Sequence, residues 1–307
     1  MNSKLTNIVE QFAFEGTICE INPLGEGLIN DTYKVKTCET DRPDYVLQRI
    51  NHHVFPDIDR VMHNIDAVTS HIRNTLAAKE TPDIDRRVLH FLPTKNDGNL
   101  YTMLNDGTYW RMMVFIDNAI TRQNIDIENS REAGRAIGNF QKMLANIPVH
   151  LGESIKDFHN MEFRLEQLYD VVKQDPAGRV KEERVQKMLA EIGTRAEEMC
   201  KAERLGREGI LPKRVCHCDT KVNNMLFDKE GKVICIIDLD TVLHNFIFSD
   251  YGDFLRTAAN TVAEDCPEME KVQFRMDIFK AFTEGYLKSA QDFLLPIETD
   301  NLPYATA

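Results

Sequence analysis

The 307-residue chain carries 37 Lys and Arg against 49 Asp and Glu, a formal net charge of −12. That sign counts against a nucleic-acid partner, whose backbone would be repelled, so any phosphate site must be local and metal-assisted. Hydrophobic content of 42% and charged content of 28% are those of a globular protein; no stretch is long enough to span a membrane, and the N-terminus shows no apolar signal region. The seven cysteines have no framework spacing, which predicts reduced thiols in a cytoplasmic protein.

In chain order, residues 3–13 place Leu5, Ile8, Val9 and Phe12 on one helical face. Strands are predicted at 16–21, 32–37 and 45–50. Between the first two lies Pro23-Leu-Gly25-Glu-Gly27-Leu-Ile-Asn30-Asp-Thr32-Tyr33. A Gly-x-Gly alone is most simply a turn. Between two strands, its glycines would let backbone N–H groups approach phosphates closely. The strand Val46-Leu-Gln48-Arg49 contains no Lys. Arg49 is its candidate phosphate-binding cation, because a guanidinium pairs well with phosphate oxygens. Gln48 points to the opposite face and competes with it, and an exposed strand arginine is the plain alternative.

Residues 56–78 form a long amphipathic helix with Ile58, Val61, Met62, Ile65, Val68, Ile72 and Leu76 as its buried stripe. Segments 87–92 and 100–104 read as strands around an Asn96-Asp97-Gly98 turn. Residues 109–116 make a strongly apolar strand ending at Asp117-Asn118, where the lobe boundary is placed. The pattern then becomes helical, at 130–145, 161–173 and 182–204, and again at 274–290. A further helix opens at Asp250-Tyr-Gly252-Asp253-Phe-Leu-Arg256.

The densest chemistry lies in 215–240. Cys216-His217-Cys218-Asp219-Thr-Lys221-Val-Asn-Asn224 precedes Met225 to Phe227, a turn through Gly231, and the β-branched run Val233 to Ile237, which ends on Asp238. This is a loop followed by a strand hairpin with a carboxylate at its far end. Singly, an Asp after a strand is a turn or cap residue. Together, Asp219, Asn224 and Asp238 supply what phosphoryl transfer requires. One carboxylate takes the acceptor proton, while an amide oxygen and a second carboxylate hold Mg²⁺. Protein kinases use the same five-residue interval between Asp and Asn. A zinc reading of Cys216, His217, Cys218 and Cys235 is weaker, since neighbouring strand residues point to opposite faces.

His217-Cys-Asp219-Thr-Lys-Val-Asn-Asn224 with Ile237-Asp238-Leu-Asp240-Thr241 resembles the aminoglycoside phosphotransferase and choline kinase superfamily. Within it, these motifs most resemble the N-acetylhexosamine 1-kinases. The resemblance implies an α+β, bilobed, protein-kinase-like fold. A small antiparallel sheet lobe (1–117) binds the nucleotide, and a mainly helical lobe (118–307) carries catalysis and the acceptor site. It implies ATP and Mg²⁺ as cofactors and a small-molecule acceptor, an amino sugar phosphorylated on its anomeric hydroxyl. Asp219 is then the catalytic residue and Asn224 and Asp238 the metal ligands, with Asp240 a weaker third. Gly25, Gly27, Asn30, Thr32, Arg49 and Phe115 line the nucleotide site, Phe115 at the hinge where adenine meets backbone. Asp253 braces the catalytic loop, with Arg256 as its partner. Further helical sequence after residue 307 is implied as part of the sugar site, so the second lobe is expected to be shortened at its end. Choline, aminoglycoside, homoserine and methylthioribose remain open as acceptors, and a nucleotide-binding regulator without turnover is the reading from another class.

Overall fold

The computed structural model describes residues 3–25, 29–262 and 266–306. After α1 (Ser3–Val9) come β1 (Ile18–Pro23), β2 (Asp31–Thr37) and β3 (Tyr45–Ile50), then α2 (Ile58–Ala78), β4 (Thr102–Met103) and β5 (Tyr109–Val114). The strands form one antiparallel sheet in the order β1-β2-β3-β5-β4. Register pairs Gln48 with Arg111 and Arg49 with Trp110. Because side chains alternate along a strand, these two pairs face opposite sides. On the outer side Leu47, Trp110 and Met112 pack against Leu5, Ile8, Val9 and Phe12. On the inner side Val46, Ile50 and Met113 pack against the predicted stripe of α2. Asp57 caps that helix, its carboxylate accepting from Arg60 N at 3.0 Å.

Two predicted strands shrink. Segment 87–92 contributes only an isolated bridge, Phe91 to Met113, and 100–104 only the two residues of β4. A 3-10 turn at Ile84–Arg86 delivers the first segment late to the sheet, and Pro93, which has no N–H, ends it. The expectation of uniformly reduced thiols also fails. Cys19 sits in a bulge of β1, between Ile18 and Glu20, and is joined to Cys38 with Cα atoms 5.2 Å apart. Cys200, Cys216, Cys218, Cys235 and Cys266 are free.

The second lobe holds α3 (Ile127–Leu144), α4 (Met161–Gln174), α5 (Glu183–Met199) and α6 (Lys201–Arg207), followed by β6 (Arg214–Cys216), β7 (Met225–Phe227), β8 (Val233–Ile236) and β9 (Leu243–Asn245). Then come α7 (Phe248–Ala258), α8 (Met276–Ala290), α9 (Pro296–Asp300) and α10 (Leu302–Thr306). Its core is built from Ile137, Phe227, Tyr251, Phe254, Phe282 and Tyr286. The single charged helix expected over 182–204 breaks at Cys200. The α5 part buries nothing, whereas α6 turns inward to bury Ala202. The end of the chain folds back on the lobe: the buried Glu298 pairs with Arg214, and Tyr304 Oη donates to Met199 O at 2.7 Å. Among the described residues no helix is long and apolar enough to cross a membrane.

Candidate active site

Strands β6 and β9 pair at one end of the site and β7 and β8 at the other. The loop from His217 to Asn224 runs between them. Its anchor is Asp250, at the start of α7 and fully buried. Oδ2 accepts from Gln141 Nε2 at 2.8 Å and His217 N at 3.1 Å, and Oδ1 from Cys218 N at 2.7 Å. Burial pushes the Asp250 carboxyl pKa up, and these donors pull against it. Asp253, one turn later, accepts from Thr220 N at 2.7 Å and pairs with Arg256 at 2.7 Å. Two carboxylates on one helix thus hold three residues of the loop, His217, Cys218 and Thr220.

The buried His217 ring fixes the next step. Nδ1 lies 3.2 Å from the Asp219 N–H and must accept from it, so Nε2 carries the proton and donates to Ile237 O at 2.8 Å. One neutral tautomer therefore joins the loop to the end of β8. Desolvation raises the pKa of Cys216 and Cys218 thiols well above the ordinary value. Among the described residues no group of three or more His, Cys, Asp and Glu could hold a metal ion.

Asp219 is half-buried. Its Oδ2 accepts from Asn224 Nδ2 at 2.9 Å, and its Oδ1 lies 3.1 Å from Lys221 Nζ. Asn224 Nδ2 also donates to Asp219 O at 2.9 Å. This orientation leaves Asn224 Oδ1 without a protein donor among the described residues. Ile237 N donates to Asn224 O at 2.9 Å, bringing Asp238 alongside. Asp238 adopts a left-handed backbone, φ 61°. Its carboxylate reaches solvent but has protein around it on most sides. Desolvation, then repulsion from Asp240, pushes its pKa up to about 6. Among the described residues it forms no hydrogen bond or ion pair. An acidic carboxylate with no cation, beside an unpartnered amide oxygen, is a donor set suited to Mg²⁺, whose other positions go to phosphates and waters.

The remaining expected residues separate. Asp240 is not available to a metal, because Arg111 holds it through Nη2 to Oδ2 at 2.9 Å and Nη1 to Oδ1 at 2.5 Å, with both residues buried. Asn30 Nδ2 also donates to Asp240 Oδ2 at 2.8 Å, and Asn30 Oδ1 accepts from Asn51 N at 2.9 Å. Asn30 therefore ties the sheet to the β8 end rather than facing phosphates. Thr32 Oγ1 accepts from Gln48 Nε2 at 3.0 Å, and Gln48 Oε1 accepts from Arg111 Nη2 at 2.6 Å. Arg49 lies on the outer face of the sheet, paired with the exposed Asp31 at 3.2 Å. Strand alternation puts it on the face opposite Gln48 and Arg111, and Arg111 is a sheet cation that reaches the β8 end of the site. Phe115 N donates to Asp44 O at 2.9 Å, and its ring lies 3.9 Å from Lys34 Nζ, so its N–H is engaged within the sheet. Gly25 has φ 73° with open space around it; Gly27 lies outside the described residues.

Sequence reading assigned no role to Lys221, Asp250 or Arg111. Lys221 stands two residues after Asp219, and Arg111 is the one charge inside an apolar strand; that interruption was the available signal. Cavity volume alone misleads here. A cavity of about 800 Å³ behind the site, lined by His71, Leu76, Phe140, Met143 and Ile234, reaches none of Asp219, Asn224 and Asp238. A smaller one of about 570 Å³ opens onto Lys221 and Asn223.

The family described as "Phosphotransferase enzyme family" (APH) matches residues 20–286. Among solved structures, the amicoumacin kinase hAmiN in complex with AMP-PNP, Ca²⁺ and Ami shares the fold at TM-score 0.62 and 10% identity, over 100% of this chain and 83% of that one. APH(2")-IIia, in complex with GDP and kanamycin, gives 0.58 and 14%, over 99% and 88%. An aminoglycoside phosphotransferase from Alicyclobacillus acidocaldarius gives 0.56 and 11%, over 97% and 90%.

Proposed function

The chain belongs to the phosphotransferase enzyme family, and on that premise we propose that it is an ATP- and Mg²⁺-dependent small-molecule kinase acting on the anomeric hydroxyl of an N-acetylhexosamine. The observation that carries the chemistry is the linkage of Asp219 to Lys221 and Asn224, and of Asn224 to the backbone just before Asp238. Asp219 orients the acceptor hydroxyl and takes its proton as that oxygen attacks the γ-phosphorus, and ADP leaves. Asn224 and Lys221 hold the Asp219 carboxylate in place before the acceptor arrives. Asn224 Oδ1 and Asp238 would hold the divalent ion, which when bound neutralises phosphate charge. Nucleotide would lie between the lobes under the turn at Gly25, with the boundary between nucleotide and acceptor halves near residue 117. Relatives of this fold solved with AMP-PNP and Ca²⁺, or with GDP, are in keeping with that arrangement.

The amino-sugar acceptor is supported by Asp219-Thr-Lys-Val-Asn-Asn224 and Ile237-Asp238-Leu-Asp240-Thr241. Choline is disfavoured, because the one tryptophan, Trp110, packs on the outer face of the sheet, away from any cation cage at the acceptor side. No nucleic-acid or membrane partner is proposed, and the activity is assigned to the cytoplasm.

The test is ADP release from MgATP with N-acetylglucosamine, N-acetylgalactosamine, galactose, choline, homoserine and kanamycin. Release with the N-acetylated sugars and a sugar 1-phosphate product is expected. Another active acceptor keeps the kinase and discards the sugar; silence throughout discards the amino sugar and favours the regulator without turnover. Asp219→Asn is expected to lower kcat by about 10²- to 10⁴-fold, the usual contribution of a general base, with ATP binding retained. Near-normal turnover in that variant removes Asp219 from the chemistry.

A further inference from the structure

The corner before α4 brings an imidazole to the catalytic loop. Asp157 and His159 both have left-handed backbones, φ 53° and 58°, so the chain turns sharply there. Asn160 then caps α4, its Oδ1 accepting from Phe163 N at 3.2 Å. The Phe158 ring packs on Cys216, Cys218 and Leu243. A single amide fixes the corner against the loop: Asn245 Nδ2 lies 3.3 Å from Phe158 O and 3.8 Å from Cys218 Sγ. His159 and Asp219 are the next residues along these two strands of chain.

His159 is half-buried, and its ring stacks on Phe158 with centroids 4.2 Å apart, which fixes its plane. Neither ring nitrogen has a hydrogen-bond partner among the described residues. Asp253, Asp250 and Asp219 are the carboxylates that act on it, with Arg256 opposing them, and desolvation outweighs their pull and lowers its pKa. A neutral imidazole one residue beyond the Phe158–Cys218 contact, with Asp219 one residue beyond it on the other segment, both donates and accepts, as recognition of a polyhydroxylated acceptor requires. It also belongs to the helical lobe, in the corner that leads into α4.

We propose that His159 is an acceptor-binding residue that hydrogen-bonds a hydroxyl or amide of the sugar bound against Asp219, an inference that rests on the kinase reading above. The experiment is steady-state kinetics of wild type, His159→Ala, His159→Gly and His159→Asn, with MgATP and whichever acceptor of the panel supports ADP release, beside thermal unfolding. Glycine suits the left-handed backbone and keeps the test open should the alanine variant fold poorly. Asparagine tolerates that backbone and retains a donor and an acceptor. Expected is a rise of about three- to tenfold in acceptor KM for the alanine and glycine variants, the loss of one neutral hydrogen bond. KM for MgATP should stay within about twofold by the same reasoning, and the asparagine variant should lie closer to wild type. An unchanged acceptor KM, an equal rise in MgATP KM, or an asparagine variant as impaired as alanine overturns it. If wild type is active and the variants match it, only this inference falls. If wild type releases no ADP with any acceptor of the panel, the amino-sugar reading falls and takes this one with it.

Discussion

At the scale of single residues, the candidate site leaves one carboxylate unpaired at a cost in stability. Asp238 has two carboxylates near it and no partner of its own, and its pKa rises from an ordinary 3.8 to about 6. A carboxyl raised in the folded state retains its proton where the unfolded chain has lost it. Its contribution to stability therefore declines as pH rises between those two values and stays low above them. Asp238→Asn should flatten that decline and raise Tm at neutral pH in EDTA; Asp250, also raised, accounts for the slope that remains. The same variant should lose the Tm increase that MgATP gives wild type. Equal stabilisation by MgATP in both proteins would take Asp238 out of the metal site. Tertiary contact decided this residue's neighbours, but its position after a β-branched run was legible from the chain alone.

Among elements, the decisive junction is between β5 and the turn after β8. Arg111 and Asp240 are 2% and 3% exposed, and Gln48, Thr32 and Asn30 extend the network across three strands. Removing one partner from a buried pair leaves an uncompensated charge and costs about 3–5 kcal/mol. Arg111→Met is expected to unfold at lower urea concentration by that margin, and Arg111→Met/Asp240→Leu to regain much of it. A single variant as stable as wild type would mean that water reaches Asp240. The sequence motif offered Asp240 as a spare metal ligand and Arg49 as the sheet cation. Both errors have one origin. Spacing along a strand gives alternation, but which side faces the cleft is set by pairing, and the register of Gln48 with Arg111 assigns it.

For the whole molecule, two helices carry the second lobe. A Cβ on Gly285 would stand 1.9 Å from Arg131 O, and one on Gly134 2.1 Å from Phe282 O, so α3 and α8 touch backbone to backbone. On helix propensity alone, Gly285→Ala would gain about 1 kcal/mol. Overpacking should win, and a net loss of about 1–3 kcal/mol is expected in denaturant unfolding. A stabilised variant would show that the helices can separate without cost. This contact also reaches the candidate site, because Gln141 on α3 holds Asp250, which in turn holds the loop at His217.

The chain by itself determined the order of its elements, the stripe of α2 and the hairpin of β7 and β8, and it carried the spacing that singles out Asp219, Asn224 and Asp238 as candidates. All of these rest on local periodicity or short spacing, which a linear pattern preserves. Only the tertiary structure decided that Asn30 and Arg111 meet Asp240, that Asp250 anchors the loop, that Cys19 meets Cys38, and that the corner at Phe158 meets the loop at Cys218 through Asn245. Most of those partners are separated by many residues. Such pairs are created by strand register and helix docking, which bring distant backbone together only after the chain has closed on its core.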